Sequence, residues 1–366
     1  MHTATFAFDP ARLPFHADSV RRVPLAPGVT HQFVYSSEGP WAINLLDIER
    51  SNCLDFRALK AHGTAVGREP TTLLLEHLAE QENVVAGVNA DFFSLATGTP
   101  VGAHIQRGQV IAGPGPRPVF GIDSSGSPFI GAVHASGSVV VAGTTLALAG
   151  WNRVAQDGLS IIDRAWGAAS DSGTGRVKIT LAGPSPFHVI AIDTLLAGTA
   201  VPPAGMLLVA GRDAPIALRT MLLGLRPGNP VTIERSLDRL ALREVVGGWP
   251  IILRDSAITR DADSAGASFA PARHPRTAVG LANGGKRIII AVVDGRQKPY
   301  SDGMTLRELA RFFQSLGATD VINLDGGGSS TFVTRDSVGA MRIRNSPSDK
   351  TERPVANALA LVNGCR

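Results

Sequence analysis

The chain has 366 residues, enough for one large domain or two ordinary ones. Hydrophobic residues make up 44% and charged residues 18%, which supports a sizeable core and excludes a disordered chain. The net charge of +4 is mild and no run of Lys and Arg interleaves with aromatics, so nucleic acid is not an expected partner. No segment approaches the roughly 18 uninterrupted apolar residues of a membrane helix.

Glycine (40) and proline (24) are plentiful and aromatics reach only 5%, a profile of turns and strands more than of helices. Cys53 and Cys365 are the two cysteines; they cannot build a metal cluster, and one long-range disulfide is the most they could make. The opening Met1–His2–Thr3–Ala4 has no basic-then-apolar stretch, so a signal peptide is expected to be absent or already removed.

Residues 1–30 read as an extended lead-in, and residues 1–80 as an extended and β segment packed on a main domain of residues 81–366. His31–Tyr35 and Trp41–Ile48, separated by Ser-Ser-Glu-Gly-Pro, predict a hairpin. Leu74, Leu75 and Leu78 predict a helix from Thr72 to about Gln81. Val84–Val88 reads as a strand that ends on Asn89 and Asp91, which share a side under period-two alternation. From about residue 125 to 240, short strands and Gly/Pro turns alternate with little recognisable chemistry, which predicts a β-rich insertion.

Ala257–Pro271 is small and polar and reads as a mobile loop over a site. Arg273, His274 and Arg276 precede a strand, and Ile288–Val293 is the strongest buried-strand signal, delivering Asp294, Gly295 and Arg296. Thr305 and Glu308 form a capping box before the apolar stripe Leu306, Leu309, Ala310, Phe313 and Leu316, and Gly317 closes the helix. Val321–Leu324 then delivers Asp325, followed by Gly326, Gly327, Gly328, Ser329 and Ser330. Strand, helix, strand with Asp–Gly at both carboxyl ends is a βαβ-like pattern whose end groups can converge on one crevice. The glycine turn suits anions and sugar hydroxyls, and it is not a nucleotide P-loop because no Lys follows.

Together these motifs resemble the phosphodiester glycosidase family: Gly87–Phe93, His274–Gly280, Val293–Arg296, Thr305–Ala310, Asn323–Thr331 and Glu352–Asn357, in that order. The resemblance implies an α+β, mixed β-sheet-rich fold with a few helices. It also implies a hydrolase that cleaves the sugar C1–O bond of a glycosyl-1-phosphodiester or related bacterial-type glycan, in a protein exported to the periplasm or outside the cell. Asp91 stands where many members have Gly, so an additional carboxylate is expected.

Cleaving C1–O expels a phosphate monoester, whose second pKa of about 6 makes it a far better leaving group than an alkoxide. The site therefore needs an anion clamp and charge stabilisation more than a strong acid. Arg276 and Arg296 are the expected phosphate holders, helped by backbone N–H groups of Gly326–Ser329. Asp325, Asp294 and Asp91 are the candidate catalytic carboxylates. Asn89, His274, Ser330 and Glu352 complete the expected substrate-binding set, Glu352 more as an ion-pair partner of an arginine than as a catalyst. A turn residue is the plain alternative for Asp294, and a loop histidine packed on Pro275 for His274. No cofactor is expected; Ca²⁺ held by Asp91, Asp294 and Asp325 is a minority reading without EF-hand spacing. A metal-dependent phosphodiesterase and a catalytically silent glycan- or polyanion-binding module are the alternatives.

Overall fold

The computed structural model describes residues 8–170, 175–194, 198–239 and 241–365. Its largest sheet has eight strands in the order 19–26, 29–36, 41–49, 287–293, 276–282, 318–323, 251–254 and 257–258. Every pairing in it is antiparallel. The helix Leu306–Ser315 lies on one face, its Leu306, Leu309, Phe312 and Phe313 packing against Ile43, Leu45, Ile289, Ala291, Val293 and Val321. The other face, carrying Leu46, Ile288, Ile290, Val292 and Ile322, meets Phe56, Val88, Phe332 and Leu359 of a five-stranded sheet.

That second sheet runs 341–343, 332–335, 84–89, 357–363 and 54–60, and the helix Thr71–Ala79 covers its far face through Leu74, Leu75 and Leu78. The result is helix, sheet, sheet, helix. Because Arg287–Val293 is covered on both sides, it reads as an unbroken apolar run and not as an alternation. A third sheet of five strands joins 109–112, 104–106, 242–247, 119–123 and 128–131. Between residues 135 and 237 the chain closes a seven-stranded barrel around its own core of Val139, Ile161, Ile179, Leu208 and Val231.

Several expectations need correction. The architecture is sheet-rich with few helices, but the sheets are antiparallel, with 144–151 beside 159–162 the one parallel pair among the described residues. The strands before Asp294 and Asp325 run the same way but are not adjacent. Arg276–Ala282 lies between them and pairs antiparallel with both. The lead-in is partly an edge strand, with Ser19 opposite Tyr35. Residues 257–271 are anchored by Ala262, Ala265 and Ala270, which are buried in the core on the helix side of this sheet, while most of the stretch is exposed.

Candidate active site

Antiparallel alternation brings chain starts and chain ends to one margin of the sheets. Asn89, Gly247, Val293 and Asn323 end their strands there, and Arg276 begins one. Backbone bonds stitch these ends together. The Asp325 amide donates to the Ala90 carbonyl at 2.8 Å, which sets Asp325 against the residue preceding Asp91. Asn89 Nδ2 donates to the Asp325 carbonyl at 2.6 Å, while its Oδ1 accepts from Thr277 Oγ1 and the Thr331 amide. Asn89 is fully buried; its Oδ1 accepts twice and one Nδ2 hydrogen is used, which fixes the backbone of Asp325.

Asp91 is 1% exposed and leans on glycine: a Cβ on Gly247 would stand 2.4 Å from its Oδ2, and the Gly102 amide donates to that oxygen at 2.6 Å. Its Oδ1 is buried without a partner among the described residues. Burial pushes the Asp91 carboxyl up to about 7; the neighbouring charge of Asp325 adds to the rise, while the Gly102 amide, Arg117 and Arg153 oppose it. Burial likewise pushes Asp325 up to about 6, against the pull of Ser329, the Gly326 amide, Arg353 and Arg117. Two coupled carboxyls thus share one desolvated place.

Arg117 was not expected, and it stands beside both. Its guanidinium lies 4.9 Å from the Phe92 ring and 5.3 Å from the Trp249 ring, so it is held between aromatic faces. It makes no ion pair among the described residues, and Nη1 is buried without a partner. The segment is anchored where the Gly248 amide donates to the Pro118 carbonyl at 3.1 Å and Val119 pairs with Gly247. Phe269 stacks on Trp249 at 5.5 Å and closes this wall. Behind Asp91, Arg153 donates to the carbonyls of Pro100, Gly102 and Gly113.

The glycine turn is not an open cradle. The amides of Gly326, Gly327, Ser329 and Ser330 are spent on Asp325 Oδ1, the Pro275 carbonyl and the turn itself. Its glycines answer crowding: Gly327 has φ +62°, and a Cβ on Gly328 would meet Arg353 at 2.1 Å. Arg296 lies over Gly327 and donates to His274 Nδ1 at 3.2 Å, which places the imidazole proton on Nε2. Burial and the charges of Arg276 and Arg296 hold His274 below the usual imidazole range.

Three expected residues serve the scaffold. Arg276 is 1% exposed and donates to the carbonyls of Met304, Phe269 and Ala272, with Phe269 under its guanidinium at 4.6 Å. That geometry holds the stretch around Phe269 and is not a two-pronged phosphate clamp. Asp294 accepts from Asn345 Nδ2, the Ser346 amide and Tyr300, and its carbonyl accepts from Ser301. Burial still pushes it up to about 6 against those bonds, but it ties loops and is not paired with Asp325. Glu352 pairs with no arginine among the described residues; Oε1 accepts from the Thr72 amide at 2.8 Å and so caps the first turn of the helix Thr71–Ala79. Accordingly, Glu352→Ala is expected to cost about 1 kcal/mol in a urea melt with kcat within twofold of the parent; a selective rise in KM would return Glu352 to the substrate. Among the described residues, no group of three His, Cys, Asp or Glu stands close enough to hold a metal ion, so the three aspartates do not form the Ca²⁺ set.

A sheet-rich fold whose strand margins gather paired carboxylates and arginines defines the class. Residues 189–362 match the phosphodiester glycosidase family, and the chain resembles that family over this span, as its ordered motifs imply. Among solved structures, a hypothetical protein from Synechocystis superposes with TM-score 0.79 at 22% identity, over 95% of this chain and 64% of that one. The chain therefore spans less than two thirds of that protein. A putative exported protein from Burkholderia pseudomallei gives TM-score 0.70 at 24% identity, over 88% and 74%. The zebrafish N-acetylglucosamine-1-phosphodiester alpha-N-acetylglucosaminidase catalytic domain, auto-inhibited by its pro-peptide, gives 0.48 at 15%, over 94% and 82%. The first two likenesses concern the fold. No curated protein matches the sequence.

Proposed function

We propose that this protein is a hydrolase that cleaves the sugar C1–O bond of a glycosyl-1-phosphodiester or a closely related glycoside. The observation that carries the reading is the meeting of buried Asp91, its Oδ1 unpartnered among the described residues, with half-buried Asp325, whose amide is bound to the Ala90 carbonyl, beside the guanidinium of Arg117 between Phe92 and Trp249; desolvation raises the two carboxyls to about 7 and about 6. Environments that separate two carboxyls assign their duties. Asp325, the lower of the two, is the ionised partner that faces the positive charge developing at C1. Asp91, the higher, keeps a proton to give to the departing oxygen. A phosphate monoester leaves readily, so a counter-charge matters more than a strong acid. Arg117 supplies it, a cation with no carboxylate of its own and hence no ion pair to break. Arg296, steadied by a neutral His274, is a second cation across the glycine turn.

Opposite requirements on the pair give a bell-shaped pH profile. Activity rises as Asp325 loses its proton through about 6 and falls as Asp91 loses its own through about 7. Measured kcat/KM on a sugar-1-phosphodiester should therefore peak between these values, and Asp91→Asn should abolish the basic limb; a flat profile from pH 5 to 8 contradicts the assignment. Hydrolysis in ¹⁸O-water tests which bond breaks. Label in the released sugar supports the reading, and label in the phosphate defeats it.

An exported location is part of the proposal. The Cys53–Cys365 disulfide fits an oxidising compartment, and the Burkholderia relative is described as a putative exported protein.

A further inference from the structure

Away from the paired aspartates, where the edge of the eight-stranded sheet meets the strand 332–335, a concave groove of about 490 Å³ carries three arginines with no carboxylate partner among the described residues. Arg21 has no polar partner among the described residues. Arg344 donates to Thr334 Oγ1 at 2.6 Å, and Arg335 donates to Asn83 Oδ1 at 2.7 Å and to the Gly339 carbonyl at 3.2 Å. Neutral acceptors orient the guanidiniums of Arg344 and Arg335 without cancelling their charge. Arg57, Arg254, Arg273 and Arg287, by contrast, each reach a carboxylate within 2.7 Å. The groove's one acid, Asp336, is taken by Arg342 at 3.1 Å and by the amides of Val338 and Ala340. The floor is buried His31, whose ring packs on Phe332 at 5.0 Å and is held by Asn44.

From these observations we infer that the groove binds successive phosphate groups of a linear acidic chain. Three unneutralised guanidiniums around one concavity match several anionic oxygens, and planar forks suit phosphate. The position makes it a subsite for an extended substrate, which rests on the hydrolase reading. The strand that lines it leaves the glycine turn, so Thr334 lies on the order of 10 Å beyond Thr331 at about 3.3 Å per residue. Next to Arg344, Asn345 donates to both the Ser330 carbonyl and Asp294, which ties the groove to the turn that presents Asp325.

Calorimetric titration of the full chain with inorganic tripolyphosphate tests this without any glycosyl bond, so it stands apart from the hydrolysis assay. Binding that weakens with salt, falls roughly tenfold or more in Arg21→Ala/Arg344→Ala, and persists in Arg117→Ala is the expected result. Absence of binding, binding that survives the double substitution, or binding lost equally in Arg117→Ala overturns the groove. Orthophosphate bound as tightly as tripolyphosphate overturns recognition of a chain. Circular dichroism of the double variant, whose two side chains are exposed, guards against misfolding as the cause.

Discussion

Replacing Asp325 by Asn is expected to lower kcat on a sugar-1-phosphodiester by roughly 10²–10⁴-fold, the range associated with losing a positioned proton-transfer or charge-stabilising group. The fold should survive. The amide can still accept from the Gly326 N–H through Oδ1, and the backbone carbonyl remains held by Asn89. The substitution also removes a charge that burial disfavours. Thermal melting and kcat measured together decide the matter. Full activity in a folded variant would remove Asp325 from the chemistry, and loss of folding along with activity would make it a structural residue. Asn89→Ala is the informative companion, since it should lower kcat by misplacing Asp325 without removing a carboxylate.

The second large effect concerns stability. Cys53 and Cys365 are joined across a sequence separation of 312 residues, and the strands that follow and precede them, 54–60 and 357–363, pair along their whole length. Closing so long a loop restricts the unfolded chain strongly, and loss of the bond in Cys53→Ser/Cys365→Ser is expected to cost about 3–5 kcal/mol. Urea unfolding of the double variant beside the oxidised parent measures it. Identical midpoints would show that the sheet carries those strands unaided.

Local chemistry made much of this molecule readable in advance. The capping box of Thr305 and Glu308 forms as its spacing dictates, and the apolar run Ile288–Val293 is a strand buried on both faces. The Asp–Gly strand end at residue 325 was legible because strand, turn and acid are consecutive. Arg117 was hidden for the opposite reason. It lies in a Gly/Pro stretch without periodicity, and its aromatic partners Phe92 and Trp249 are distant in sequence. Asp294 and Asp325 looked equivalent as motifs; only the loops at Asn345 and Tyr300, folded back from elsewhere, saturate one of them. Likewise Arg276 has the composition of an anion clamp, and its commitment to three carbonyls is a fact of packing. Glu352 shows the same limit, since the helix end that it caps lies 280 residues earlier.

The barrel has a consequence for how such a site can be retuned. Its first and last strands pair from Ala135 opposite Leu237, and just outside them the Asp238 amide donates to the His134 carbonyl while the His134 amide donates to Asp238 Oδ1, so the chain enters and leaves at one point. A unit joined in this way can be exchanged for another without recutting the sheets that carry Asp91 and Asp325. It is nevertheless not a passive passenger. Arg153, from the loop between two barrel strands, reaches under Gly102 and draws down the pKa of Asp91. The barrel thus reaches the paired carboxyls through Arg153, and exchanging it is expected to raise the pKa of Asp91 while both aspartates stay in place.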